Sequence, residues 1–139
     1  MLRVVVDPNV VVSAAISPGG VTGRLLRLGL AGQFRIVVCP MLLAEAGDAL
    51  SRPKLRRYVS IDAALELLAD IEGAAETHPD PVVIEAISRD PDDDYLVALL
   101  TDSGADRLVS GDADLLALAA HDPRILSPRT LLDELTDGT

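Results

Sequence analysis

The 139-residue chain has no tryptophan, two tyrosines and one phenylalanine. A core with so few rings must be filled by Leu, Val, Ile and Ala, which suits a parallel sheet covered by helices on both faces. There is one cysteine, Cys39, so an intrachain disulfide is excluded and a reducing, cytoplasmic setting is expected. Cys39 ends an apolar run and reads as a small buried hydrophobe rather than a nucleophile. No apolar run approaches the roughly 20 residues of a membrane span, and no basic region precedes the first apolar stretch as in a signal peptide. No association with a membrane is expected.

Basic charge is scarce as well. Twelve Lys and Arg face 22 Asp and Glu, for a net charge of −10. That balance argues against a general nucleic-acid binder, which is ordinarily basic. It leaves room for an enzyme that approaches phosphates through bound cations. Lys54 is the only lysine, far too early for a response-regulator receiver, which needs a late lysine beside its phosphoacceptor. A haloacid-dehalogenase-type phosphatase needs Asp-x-Asp after the first strand, and Asp7-Pro8-Asn9 lacks the second acid. Neither a Gly-x-Ser-x-Gly elbow nor a glycine-rich phosphate loop with its lysine occurs. His78 and His121 lie near prolines in loop-like sequence and read as structural or surface residues.

What is present is an alternation of short apolar strands with helices. Residues 2–6 and 35–39 read as strands, followed by helices over 9–16, 21–30 and 41–50. Residues 61–71 carry apolar side chains at helical spacing with acids between them. A short strand at 81–84 is expected between the prolines and the next acidic turn. Residues 95–100 then read as a helix and 108–109 as a strand, with a helix at 115–120, a strand at 124–126 and a final helix to 135. The pattern predicts one domain over residues 1–139: α/β class, three layers (α/β/α), a central mainly parallel sheet of four to five strands.

In a parallel sheet, ligands bind beyond the carboxyl ends of the strands. Asp7 ends the first strand, Glu45 lies on the helix leaving the second, Asp94 heads a helix, and Asp112 follows the next strand. Any one of these acids could simply cap a helix, which is the reading given to Asp92 and Asp93. Three of the four reach one edge by topology, Asp94 joins them if a short strand precedes its loop, and carboxylates gathered there are costly unless a cation neutralises them or some stay protonated. Two of them about 4 Å apart repel by roughly 4 kcal/mol at an effective dielectric near 20. A cation that offsets this, bound through oxygens alone, is a hard ion such as Mg2+ or Mn2+ rather than zinc. The quartet is therefore read as a catalytic metal site.

These residues resemble the PIN-domain family, in particular VapC-like toxin nucleases of bacterial toxin–antitoxin pairs. The resemblance rests on Val4-Val5-Val6-Asp7-Pro8-Asn9-Val10, Leu42-Leu43-Ala44-Glu45, the acidic lead-in to Asp94, and Ser110-Gly111-Asp112-Ala113-Asp114. It covers nearly the whole chain. It implies a metal-dependent endoribonuclease using Mg2+ or Mn2+, with Asp7, Glu45, Asp94 and Asp112 as metal ligands and catalytic acids. Asn9, Ser110 and Asp114 are carried as auxiliary residues. It further implies an RNA substrate, a cognate antitoxin and a homodimer. One departure is Pro8, where the family usually has a hydroxyl residue, and it gives weight to a second reading as a partner-binding protein with a weakened site. The basic cluster Arg52, Lys54, Arg56 and Arg57 fits either RNA steering or a solvated face.

Overall fold

The computed structural model describes residues 1–84 and 94–137. Five short strands form one parallel sheet: β1 (Arg3–Val6), β2 (Arg35–Val38), β3 (Glu76–Thr77), β4 (Arg107–Val109) and β5 (Ile125–Leu126), in the order β3-β2-β1-β4-β5. The strands are runs of β-branched and aliphatic residues, and Val4, Val5, Val37, Val38, Leu108 and Val109 are wholly buried. Such strands are apolar on both faces because helices cover both.

From β1 the chain passes through α1 (Pro8–Ile16) and α2 (Val21–Leu30) to β2, then through α3 (Pro40–Leu50) and α4 (Ile61–Ala74) to β3. It then crosses to the other side of β1, where α5 (Asp94–Ser103) leads into β4. A short α6 (Ala113–Leu116) and a 3-10 turn at Ala117–Ala120 lead to β5, and α7 (Pro128–Asp137) closes the described chain. Right-handed crossovers running in opposite directions from β1 put α1–α4 on one face of the sheet and α5 on the other, giving three layers. The switch of direction falls between β1 and β4, the position where open parallel sheets form a crevice.

Local chemistry sets the element boundaries. Pro8, Pro40 and Pro128 each take the first position of a helix, where a missing N–H costs nothing. Cys39, before α3, offers no side-chain cap, and Asp80 supplies one from a distance by accepting from the Met41 N–H at 2.8 Å. The strand expected at 81–84 does not form. Val82, Val83 and Ile84 are exposed, and pairing with β2 occurs earlier, at Glu76–Thr77, ending with the His78 N–H on the Val38 carbonyl at 2.8 Å. The physical reason is that Pro79 and Pro81 have no N–H to donate to the ladder. The expected helix at 115–120 is instead α6 followed by the 3-10 turn. Asp92 and Asp93, read as helix-start residues, lie outside the described residues.

Gly23 marks the tightest contact between α2 and the preceding loop. A Cβ there would lie 2.1 Å from the Pro18 carbonyl oxygen, which is backbone and cannot swing away. Gly23→Ala is expected to cost about 1–3 kcal/mol, as overpacking typically does. A lowered urea midpoint at unchanged slope checks this; an unchanged midpoint would contradict it.

Candidate active site at the carboxyl edge of the sheet

The register of the central strands builds the site. Val6 of β1 pairs with Val109 of β4, and the next N–H, that of Asp7, donates to the Val109 carbonyl at 3.1 Å. Asp7 and Ser110 therefore stand side by side, one step beyond the last pair. The Ser110 hydroxyl donates to Asp7 Oδ2 at 2.6 Å, and both residues are essentially inaccessible to solvent, at 1% and 0%. Asp7 Oδ1 accepts the Asn9 N–H at 2.9 Å, capping α1, while the Asn9 residue itself is exposed at the edge.

Burial raises the Asp7 carboxyl above its ordinary value. The Ser110 and Asn9 hydrogen bonds pull it back down, and the negative charge of Asp112 pushes it up again. Among the described residues no ion pair involves Asp7, Glu45 or Asp112. Asp112 is tied into the same network: its N–H donates to Ser110 Oγ at 2.9 Å. Its own Oδ1 accepts the N–H groups of Asp114 at 2.7 Å and Leu115 at 3.3 Å, forming the cap of α6. Asp114 thus takes part through its backbone.

Glu45 and Asp94 come from opposite layers of the fold. Asp94 is buried, 3% exposed, in the first turn of α5. Its neighbour Tyr95, also buried, donates its hydroxyl to Glu45 Oε2 on α3. Burial, then the Glu45 bond and charge, with smaller effects from Cys39 and Asp7, hold the Tyr95 hydroxyl far above its ordinary range, so it stays a protonated donor. Tyr95 is the residue that sequence reading passed over. The one available signal was its position directly after Asp94 in a chain with so few rings. Burial likewise pushes the Cys39 thiol up to about 11, so it is no nucleophile at neutral pH.

The chain matches the PIN domain family over residues 3–114. It belongs to that family. Over 117 residues it is 29% identical to the uncharacterized protein MJ1680 of Methanocaldococcus jannaschii, covering 84% of this chain and 75% of that one. Two solved structures have the same fold. PAE2754 from Pyrobaculum aerophilum superposes with a TM-score of 0.67 at 21% identity, over 98% of this chain and 90% of that one. VapBC2 from Rickettsia felis, bound to a DNA fragment from their promoter, superposes at 0.58 and 13% identity, over 91% and 97%. PIN domains are generally nucleases and typically use divalent metal ions.

The acids of this PIN domain are donors of the kind such an ion takes. They are hard oxygen donors, and among the described residues buried Asp7 faces the charge of Asp112 with only neutral hydrogen-bond donors to offset it. Among the described residues no three His, Cys, Asp or Glu side chains are grouped closely enough to hold a metal ion as they stand. Three of the four carboxylates are each turned to a neutral donor: Asp7 to Ser110, Glu45 to Tyr95, Asp112 to the α6 backbone.

The raised Asp7 carboxyl has a consequence for stability. The folded state binds this proton more tightly than the unfolded chain does. The group's favourable contribution is therefore complete below the ordinary value of 3.8 and is lost as pH rises through the higher folded value. Asp7→Asn keeps a capping acceptor and can donate to Ser110. With divalent cations chelated, the variant is expected to be more stable than wild type at about pH 7, with the gap closing toward about pH 4. Urea midpoints at the two pH values check this, and a variant less stable than wild type at pH 7 would contradict it.

Proposed function

We propose that this PIN domain is a metal-dependent endoribonuclease and the toxin component of a bacterial toxin–antitoxin pair. The observation that carries the reading is Asp7: a buried carboxylate at the switch point of the sheet, beside the negative charge of Asp112 and, among the described residues, with no basic side chain paired to it. A buried charge left this way is costly, and a function that needs a cation there accounts for its retention.

Asp7, Glu45, Asp94 and Asp112 are assigned as the ligands of Mg2+ or Mn2+. When bound, the cation supplies Lewis acidity, making water a usable nucleophile near neutral pH and offsetting charge that develops on the phosphodiester. The protein's own part is orientation. Ser110 aims Asp7, Tyr95 aims Glu45, and the N–H groups of Asp114 and Leu115 hold Asp112. Asn9, exposed beside Asp7, is assigned to substrate contact at the edge. Pro8 is compatible with this chemistry, because Asp7 receives both of its hydrogen bonds with proline at the first position of α1.

The likeness to VapBC2 supports a cognate antitoxin as partner, and the same reading makes the protein a cytoplasmic homodimer acting on RNA. Incubating a pool of cellular RNAs with Mg2+ or Mn2+ is expected to give fragments with 5′-phosphate and 3′-hydroxyl ends. Asp7→Asn and Asp94→Asn are expected to reduce this to background. Ser110→Ala is expected to lose about 10- to 100-fold, as removal of a residue that orients a metal ligand typically does. Cleavage by Asp94→Asn at the wild-type rate would refute the assignment.

A further inference from the structure

The four residues of the basic cluster do not share one role. Arg56 is turned inward: its guanidinium donates to the Leu50 carbonyl at the end of α3, and its Nε and Nη1 are buried without a partner among the described residues. It ties the 3-10 turn at Pro53–Arg57 to the helix before it. Arg52, Lys54 and Arg57 are exposed, and the Arg57 guanidinium lies 5.9 Å from the centre of the Tyr58 ring, itself 58% exposed. A large ring left in water by a chain with so few aromatics has no part in the core.

These outward residues line a cleft of about 350 Å3 whose far wall includes Asn9. Asn9 also lines a second cleft, of about 230 Å3, together with Gly111 and Asp112. The shared residue is the one whose N–H caps buried Asp7. Through this shared residue the cleft lined by Tyr58, Arg52, Lys54 and Arg57 adjoins the cleft lined by Asp112, and the two together outline a path. In a chain of net charge −10, three outward cations around one cleft are a local concentration of positive charge.

We propose that this path is a binding track for single-stranded RNA, in which Tyr58 stacks an unpaired base and Arg52, Lys54 and Arg57 contact phosphates on the way to Asn9. Positive charge that follows the backbone, combined with an aromatic face for the bases, is the chemistry by which unpaired strands are held, at roughly 4–16 nucleotides per site. The inference deepens the nuclease reading and rests on it for the destination of the strand.

The test is fluorescence anisotropy with a labelled, mixed-sequence, single-stranded RNA of about 12 nucleotides, a length within that range. It is run on the full chain in chelator, where nothing is cleaved. Tyr58→Ala is expected to weaken binding about 5- to 100-fold, and Tyr58→Phe to retain it, since the ring rather than the hydroxyl is used. Replacing Arg52, Lys54 and Arg57 together by Ala is expected to flatten the slope of log affinity against log salt by about 2, at roughly 0.7 per phosphate. With Mn2+ present, both changes should raise KM and leave kcat near wild type. Equal binding of a duplex of the same sequence, or affinity unchanged in Tyr58→Ala and in the triple variant, overturns the track, even if cleavage persists. Binding that depends on Tyr58 in a protein that cleaves no RNA upholds the track and defeats the nuclease reading instead.

Discussion

The hydrogen bond from Ser110 to Asp7 joins the ends of the two central strands, and the rest of the site depends on it. It exists because Val6 and Val109 are in register, so that the residue after each strand end is brought to the same point. From that point the network spreads: Asp7 caps α1, Ser110 accepts from Asp112, and Asp112 caps α6. One hydroxyl thus links the Asp7 carboxylate to the backbone of Asp112, whose charge repels it. The same bond lowers the acidity penalty on Asp7 only in part, since burial remains the larger effect.

Across the site the pattern repeats with different donors. Tyr95 performs for Glu45 the service that Ser110 performs for Asp7, and it does so from the opposite layer of the fold. Because its hydroxyl cannot ionise near neutral pH, it can orient Glu45 without adding to the negative charge. A protein selected for stability alone would not keep acids in such surroundings, where an apolar residue or an amide would do as well. Their presence at the switch point of a PIN-type sheet is what the proposed metal site would account for.

Much of this was legible in the sequence. Val4-Val5-Val6-Asp7 and Leu108-Val109-Ser110 announce buried parallel strands that end in polar residues, and topology alone brings those ends together. Proline at positions 8, 40 and 128 fixed three helix starts. What escaped has identifiable causes. The edge strand at Glu76–Thr77 was missed because two residues are too short to leave a periodic signal, and Pro79 and Pro81, which have no N–H to donate, separate it from the apolar Val82-Val83-Ile84 that drew the expectation. The tie between Tyr95 and Glu45 spans 50 positions between elements on opposite sides of the sheet, a relation that no local pattern encodes. The split within the basic cluster depends on which way a 3-10 turn faces, and Arg56 differs from its neighbours only in that.

The central claim is that the buried Asp7 carboxylate is kept to bind a divalent cation. Binding to the native state alone raises stability by about 1.4 kcal/mol for each tenfold rise in ligand above its dissociation constant. Thermal midpoints measured against Mn2+ concentration, for wild type and Asp7→Asn, address this directly. The account predicts a wild-type midpoint that climbs with Mn2+ and a variant midpoint that stays flat. Two curves that rise in parallel, or a wild-type midpoint indifferent to Mn2+, would contradict it.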